Sequence, residues 1–186
     1  LGIAWLALGV QPFTPLKEMD IIPKERYRIM ARYLPTRGDL APVMMRQTAG
    51  VQVGIGYSDI EDAAAKFAAA MTASTFISAA FANSTIYEGK PSGFESYRCE
   101  AWTRCDPARC LFVPKAFSPD FAVDDYINYV LDVPMFFIIR DGRWHAVDGE
   151  VTFREFLERG WRGFSVAPED WELHASTPFP EVRLRK

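Results

Sequence analysis

What this sequence has little of narrows the reading first. Histidine occurs twice and cysteine three times in 186 residues. Neither His145 nor His174 lies near Cys99, Cys105 or Cys110 in sequence, so no zinc-ligand spacing is present. An odd set of cysteines in a chain of this size speaks against a disulfide framework and for reduced thiols in a cytoplasmic protein. Positive charge is not in excess. The net charge is −3 and the basic residues are scattered, which leaves no electrostatic footprint for nucleic acid or an anionic membrane surface. The apolar opening, Leu1–Val10, is far shorter than the roughly 20 residues a spanning helix needs. It also lacks the basic start and small-residue cleavage site of a signal peptide. No glycine-rich phosphate loop, internal repeat or domain linker is evident. The chain does not begin with Met and stops on Arg-Leu-Arg-Lys, which reads as an interior piece of a longer protein.

What is present is an ordinary globular balance, 49% hydrophobic and 24% charged, in a length that supports one core. Lysine is scarce beside arginine, which favours discrete recognition of carboxylate or phosphate by the guanidinium fork. Leu1–Phe13 reads as a buried strand closed by Pro12 and Pro15. Pro23 then introduces a helix over Lys24–Tyr33. Arg26 falls on its apolar side, where its stem either covers the core or carries its head to a ligand. Val51–Tyr57 alternates, with Val51, Val53, Ile55 and Tyr57 on one face and Gln52, Gly54 and Gly56 on the other. A glycine-lined face marks either close approach of a ligand, with Gln52 as an orienting amide, or an exposed polar face with bulges.

Ser58-Asp-Ile-Glu61 reads as a capping box opening a long helix to about Asn83, with Ile60, Ala64, Phe67, Met71, Ser78 and Phe81 toward the core. The segment Asn83–Arg109 is crowded with turn formers and yet carries three arginines and several aromatics, so it reads as a structureless binding loop. A helix is expected from Ser118 to about Leu131. A hairpin follows, Pro134–Arg140 and Arg143–Val147 about the turn Asp141-Gly142. Thr152–Glu155 is a second capping box whose helix closes at Gly160. Trp161–Glu169 reads as a linker, and a short helix as spanning Asp170–Ala175. Phe179–Arg185 alternates as a strand, which sets Glu181 beside Arg183: either a carboxylate for a hard metal next to an arginine for phosphate, or a surface ion pair. Strands and helices interleave without βαβ regularity, so the expected class is α+β with a mostly antiparallel sheet.

Several motifs occur in order: Met-Met-Arg-Gln-Thr-Ala-Gly-Val-Gln-Val at Met44–Val53, Phe-Ala-Asn-Ser and Glu-Gly-Lys-Pro-Ser-Gly-Phe within Phe81–Phe94, Leu-Asp-Val-Pro-Met at Leu131–Met135, Val-Thr-Phe-Arg-Glu-Phe-Leu at Val151–Leu157, and Phe-Pro-Glu-Val-Arg-Leu at Phe179–Leu184. With Pro23–Met30 they cover essentially the whole chain, and they resemble glutamate–cysteine ligase of the plant and plant-like bacterial type. The resemblance implies a glutamine-synthetase-like fold, a curved and mainly antiparallel sheet flanked by helices, of which residues 1–186 are an interior part of one catalytic domain. It implies an ATP- and magnesium-dependent enzyme that phosphorylates the γ-carboxylate of glutamate and lets the amine of cysteine displace phosphate. The product is γ-glutamylcysteine, the first step to glutathione. Such chemistry is largely positioning plus charge neutralisation.

Carried over residue by residue, Glu181 is a magnesium ligand and Arg183 a contact to the transferred phosphate. Arg26, Arg98 and Trp102 line the amino-acid pocket, and Gln52 lies on the strand that floors the glutamate site. Phe136 stands in the presumed cysteine pocket where plant enzymes have Tyr. Arg109 matches the family pattern without an assigned role. Asp148 and Gly163 occupy the positions of the plant redox-switch cysteines, so activity insensitive to mild reductant is expected. Gly54 stands where the plant pattern has Asn. The family's other metal-binding glutamates lie upstream of Leu1, so the isolated piece is expected to lack ligase activity. Two rival readings are a related ligase joining glutamate to another amine and a non-catalytic module of the same fold. The expected partners are glutamate, cysteine and ATP, with the protein a monomer or homodimer.

Overall fold

Lys24, in extended backbone, starts α1 (Glu25–Tyr33), one residue later than the sequence pattern places it. Ile29, Met30 and Tyr33 supply its buried stripe. After the turn Leu34–Thr36 comes α2 (Ala41–Gln47), with Pro42 in its first turn, where a missing N–H costs nothing. Gly38 joins the two. A side chain there would run into the carbonyls of Arg104 and Cys105, so only glycine lets this connection close on the segment that follows α4.

The computed structural model describes Gly2 and residues 6–185. Part of the expected opening strand, Leu1 and Ile3–Trp5, lies outside the described residues. Over residues 6–13 no strand forms: Leu6 is exposed, and the buried Val10 makes a single antiparallel bridge to Thr48.

The long helix, α3 (Ile60–Ala80), is capped one residue later than the Ser58 capping box implies. The Asp59 carboxylate accepts from the Asp62 N–H at 2.8 Å, and the Ser58 N–H donates to the Asp62 carboxylate. Ala63, Phe67, Met71 and Ser74 form its buried stripe, whereas Ile60 and Phe81, expected inside, are exposed. An alanine-rich helix that is apolar on every side gives its sequence no means of choosing a face.

The expected strand Val51–Tyr57 is not a strand. The segment makes no ladder, and Val51 is 94% exposed. Alternation supplies the faces of a strand, but a strand also needs a neighbour to bond its backbone, and none is present among the described residues.

Asn83–Arg109 is more ordered than its composition suggests. A short antiparallel pair, β1 (Ile86–Tyr87) and β2 (Lys90–Pro91), turns at Glu88-Gly89, both left-handed. Ser96 then caps α4 (Tyr97–Thr103), its hydroxyl accepting from the Cys99 N–H. Tyr97 packs on Tyr87 with ring centroids 4.3 Å apart. β3 (Cys110–Leu111) follows. The next helix, α5 (Val123–Asp132), starts later than Ser118, which instead closes the short turn Pro114–Phe117.

The hairpin forms as expected. β4 (Phe137–Arg140) and β5 (Arg143–Ala146) pair with Arg140 opposite Arg143, and Asp141-Gly142 has the two left-handed residues of a tight turn. The second capping box is also as read. Thr152 and Glu155 satisfy each other's backbone N–H groups at the start of α6 (Phe153–Arg159), and Gly160 ends it at φ 68°. The linker reading of residues 161–169 fails at its start, because Trp161 is buried and bridges Phe164. α7 (Pro168–Ala175) begins with the proline rather than at Asp170. Of the expected strand Phe179–Arg185, only β6 (Phe179–Pro180) pairs, parallel to β3.

The α+β mixture is therefore present, but the described strands make three separate two-stranded pieces, two antiparallel and one parallel, rather than one curved sheet. Among the described residues, three apolar clusters hold the helices to them. The largest joins α1 and α2 to β3, β4 and the edges of Trp102 and Phe179.

Candidate active site

Residues four apart share a helix face, so α4 presents Arg98 and Trp102 together. The Arg98 guanidinium carbon lies 5.6 Å from the centre of the Trp102 ring. The helix is tied down by the Arg98 N–H donating to Ser84 Oγ at 3.1 Å. Gly50 leaves the room the guanidinium occupies, since a side chain there would press on Arg98 Nη2 at 3.0 Å. Arg98 Nε and Trp102 Nε1 are both buried with no hydrogen-bond partner. Buried donors are nearly always satisfied, so two orphans side by side call for an explanation.

The parallel β3–β6 pair brings the third member. Phe179 sets its ring edge-on to Trp102, with centroids 6.0 Å apart, and the Glu181 N–H donates to the Leu111 carbonyl at 2.6 Å. Glu181 remains open to solvent, but surrounding protein atoms raise its carboxyl pKa, and the nearby positive charge of Arg98 only partly offsets them. Two unpartnered N–H donors in one patch, Arg98 Nε and the Trp102 indole N–H, match what a carboxylate accepts, and the Glu181 carboxyl lies near enough to feel the charge of Arg98.

The sign of the Glu181 shift makes a prediction. A carboxyl whose folded pKa is raised favours the fold below its unfolded pKa and disfavours it as pH rises through the folded value. Glu181→Gln should therefore melt higher than the parent at pH 7, with the gap closing as pH falls through the carboxylate range. A parent and variant that melt together across that range would remove the strain from Glu181.

Of the remaining sequence candidates, Arg26, Arg183 and Phe136 have partners of their own outside this patch. Arg26 uses both terminal nitrogens on Ser176, Nη1 to Oγ at 2.9 Å and Nη2 to the carbonyl at 3.0 Å, with its guanidinium over Phe137. Burial lowers its pKa. It faces the same apolar cluster on which Trp102 and Phe179 rest. Arg183 makes one long bond, 3.4 Å, to the Pro178 carbonyl, and its pKa is lowered first by burial and then by Arg185. Beyond Pro180 the backbone leaves the strand, so Glu181 and Arg183 do not form the paired face their spacing suggested. Gln52 sits in the exposed segment around Val51 rather than on a sheet. Phe136 is 1% exposed, sealed beneath the Arg109 guanidinium at 3.7 Å and the edge of Tyr33.

Sequence reasoning gave no role to Arg109 and passed over Asp106. Both are fully buried, with Arg109 Nε donating to the Asp106 carboxylate at 2.6 Å and Nη2 to the Pro134 carbonyl at 2.9 Å. The one available signal was the Asp-x-x-Arg spacing between two cysteines. Among the described residues no three His, Cys, Asp or Glu side chains gather as a metal centre requires. A lone Glu181 does not fit a magnesium ion, which takes near-octahedral oxygen ligation.

Comparison with known proteins places the chain by its sequence. The profile of glutamate-cysteine ligase family 2 matches residues 1–186. The chain is 40% identical over 189 residues to the chloroplastic glutamate–cysteine ligase of Brassica juncea, 39% to that of Medicago truncatula and 38% to form B of Oryza sativa subsp. japonica. Each alignment covers 100% of this chain but only 37%, 37% and 38% of the relative, so the chain spans little more than a third of their length. With the whole of its length matched by the profile and by these relatives, the chain belongs to the glutamate–cysteine ligase family.

Proposed function

We propose that the complete protein joins L-glutamate to L-cysteine, using ATP and magnesium, to give γ-glutamylcysteine for glutathione synthesis. The observation that carries this is the pair of orphaned buried donors, Arg98 Nε and Trp102 Nε1, beside Glu181. A bound amino-acid carboxylate would satisfy them. Arg26 and Gln52 are assigned to the rim of the same amino-acid site, Arg183 to the transferred phosphate, and Glu181 to one ligand position of a magnesium cluster completed elsewhere in the enzyme. The exposed alternation at Val51–Tyr57 supports placing these residues in a larger glutamine-synthetase-like curved sheet, to which that segment would add a strand. No described helix is long and apolar enough to cross a membrane. Reduced thiols at Cys99, Cys105 and Cys110 suit a cytoplasmic enzyme.

The test is ADP release and γ-glutamylcysteine formation by the full-length enzyme. Arg98→Ala should raise KM for an amino-acid substrate by about 30-fold or more, since losing one partner of a desolvated charge pair costs roughly 2–5 kcal/mol and about 1.4 kcal/mol is tenfold. Glu181→Gln should instead lower metal-dependent turnover. Unchanged kinetics would remove the residue concerned from the site. One observation favours a second reading, ligation of glutamate to a different amine: Phe136 has no hydroxyl and is closed over by Arg109. Turnover with a panel of amines in place of cysteine separates the two.

A further inference from the structure

The geometry points to Arg109 as a positioning residue for the Arg98–Trp102–Glu181 patch. It is fully buried and yet acts on three segments at once. Its side chain binds Asp106, just beyond α4, and the Pro134 carbonyl at the entry to the β4 hairpin, and lies on the faces of Phe136 and Tyr33. Its own carbonyl accepts from the Phe179 N–H at 2.6 Å, the first bond of the β3–β6 pair. Two residues on, Leu111 accepts from the Glu181 N–H. Arg109 thus joins the helix that carries Arg98 and Trp102 to the strand end that carries Glu181, without touching the patch itself.

Leu111 is the second observation. Its φ is 73°, a left-handed conformation that a branched aliphatic side chain rarely adopts. Such conformations persist only where surrounding structure over-determines them, and they collect at functional sites. Here the left-handed turn aims the Leu111 carbonyl at the Glu181 N–H, and the buried side chain of Arg109 anchors the residue from which that turn is built. The inference rests on the amino-acid site proposed above.

In the full-length enzyme, Arg109→Lys keeps the charge but loses the fork. It should lower kcat/KM for the amino-acid substrate by about 10–100-fold, the effect of a small misplacement, at temperatures where the variant is folded. A double-mutant cycle with Arg98→Ala should be strongly non-additive, because Arg98→Ala already removes what Arg109 places. With 5-fluorotryptophan incorporated, the Trp102 resonance, assigned by Trp102→Phe, should shift in Arg109→Lys while that of Trp161 stays. Additive losses, or an unmoved Trp102 resonance in a folded variant, would overturn the positioning role and leave Arg109 a purely structural residue. If Arg98→Ala itself left kcat/KM unchanged, the amino-acid site reading would fall, and the Trp102 resonance would still decide for or against positioning.

Discussion

Asp106→Ala should cost about 3–5 kcal/mol of folding stability, the loss seen when one partner of a buried ion pair is removed. The Asp106 side chain has no exposure. It accepts from Arg109 Nε at 2.6 Å and the Ala108 N–H at 3.1 Å, with Arg37 Nε at 3.7 Å. Truncation strands the Arg109 guanidinium in an apolar cluster, where an uncompensated charge is far more expensive than a missing bond. Arg109 already leaves Nη1 without a partner, so it has no spare contact with which to compensate. The companion variant Asp106→Leu with Arg109→Met should recover most of the loss, since no charge is left behind, although the Pro134 carbonyl loses its donor. Urea titration with linear extrapolation measures both. A loss below about 1 kcal/mol in the single variant, the range of exposed pairs, would show that water reaches the pair.

Acidification from pH 6.5 to pH 4 should remove about 3 kcal/mol from the same chain through one histidine. His174 Nε2 lies 2.8 Å from the Val130 carbonyl, which fixes the neutral tautomer with the proton on that nitrogen, and the ring stacks on Phe153. Burial holds its pKa down to about 4. The unfolded chain takes up a proton near pH 6.5 while the folded chain refuses it until about pH 4, so within that window the unfolded state binds more protons and stability rises with pH. The full contribution is present above pH 6.5 and is lost as pH falls. His174→Gln, which keeps a donor for Val130, should abolish this slope. A variant with the parent's slope between those pH values would clear His174. Glu181 acts with the opposite sign and in the carboxylate range, and Asp120, held at about 2 by Lys115 and Ser118, matters only at lower pH.

What could be read from the sequence divides by how local the deciding interaction is. The Thr152–Glu155 capping box, the Asp141-Gly142 hairpin and the Gly160 terminus all form as written, because the groups that satisfy one another lie within a few residues. The α4 helix was hidden by the Gly, Pro and Ser around it, although Ser96 was available as its cap. Val51–Tyr57 shows the converse: a strong strand pattern with no strand paired to it among the described residues. Arg98, Trp102 and Glu181 were named by resemblance, but their meeting depends on parallel pairing of Cys110 with Phe179, which no periodicity announces. The Arg109–Asp106 pair was the least legible, since charged residues in a turn-rich segment normally face water.

The uncovered ribbon at Val51–Tyr57 has a practical side. Val51, Val53 and Ile55 are exposed, and a side chain added at Gly54 or Gly56 would meet nothing. Two copies of the isolated chain meeting along this ribbon could exchange hydrogen bonds and bury apolar side chains at once, the pairing from which sheet aggregation grows. Concentration, rather than temperature or pH, would then set how long the isolated chain stays dispersed, and a single lysine in place of Val53 would be the smallest change that keeps it so.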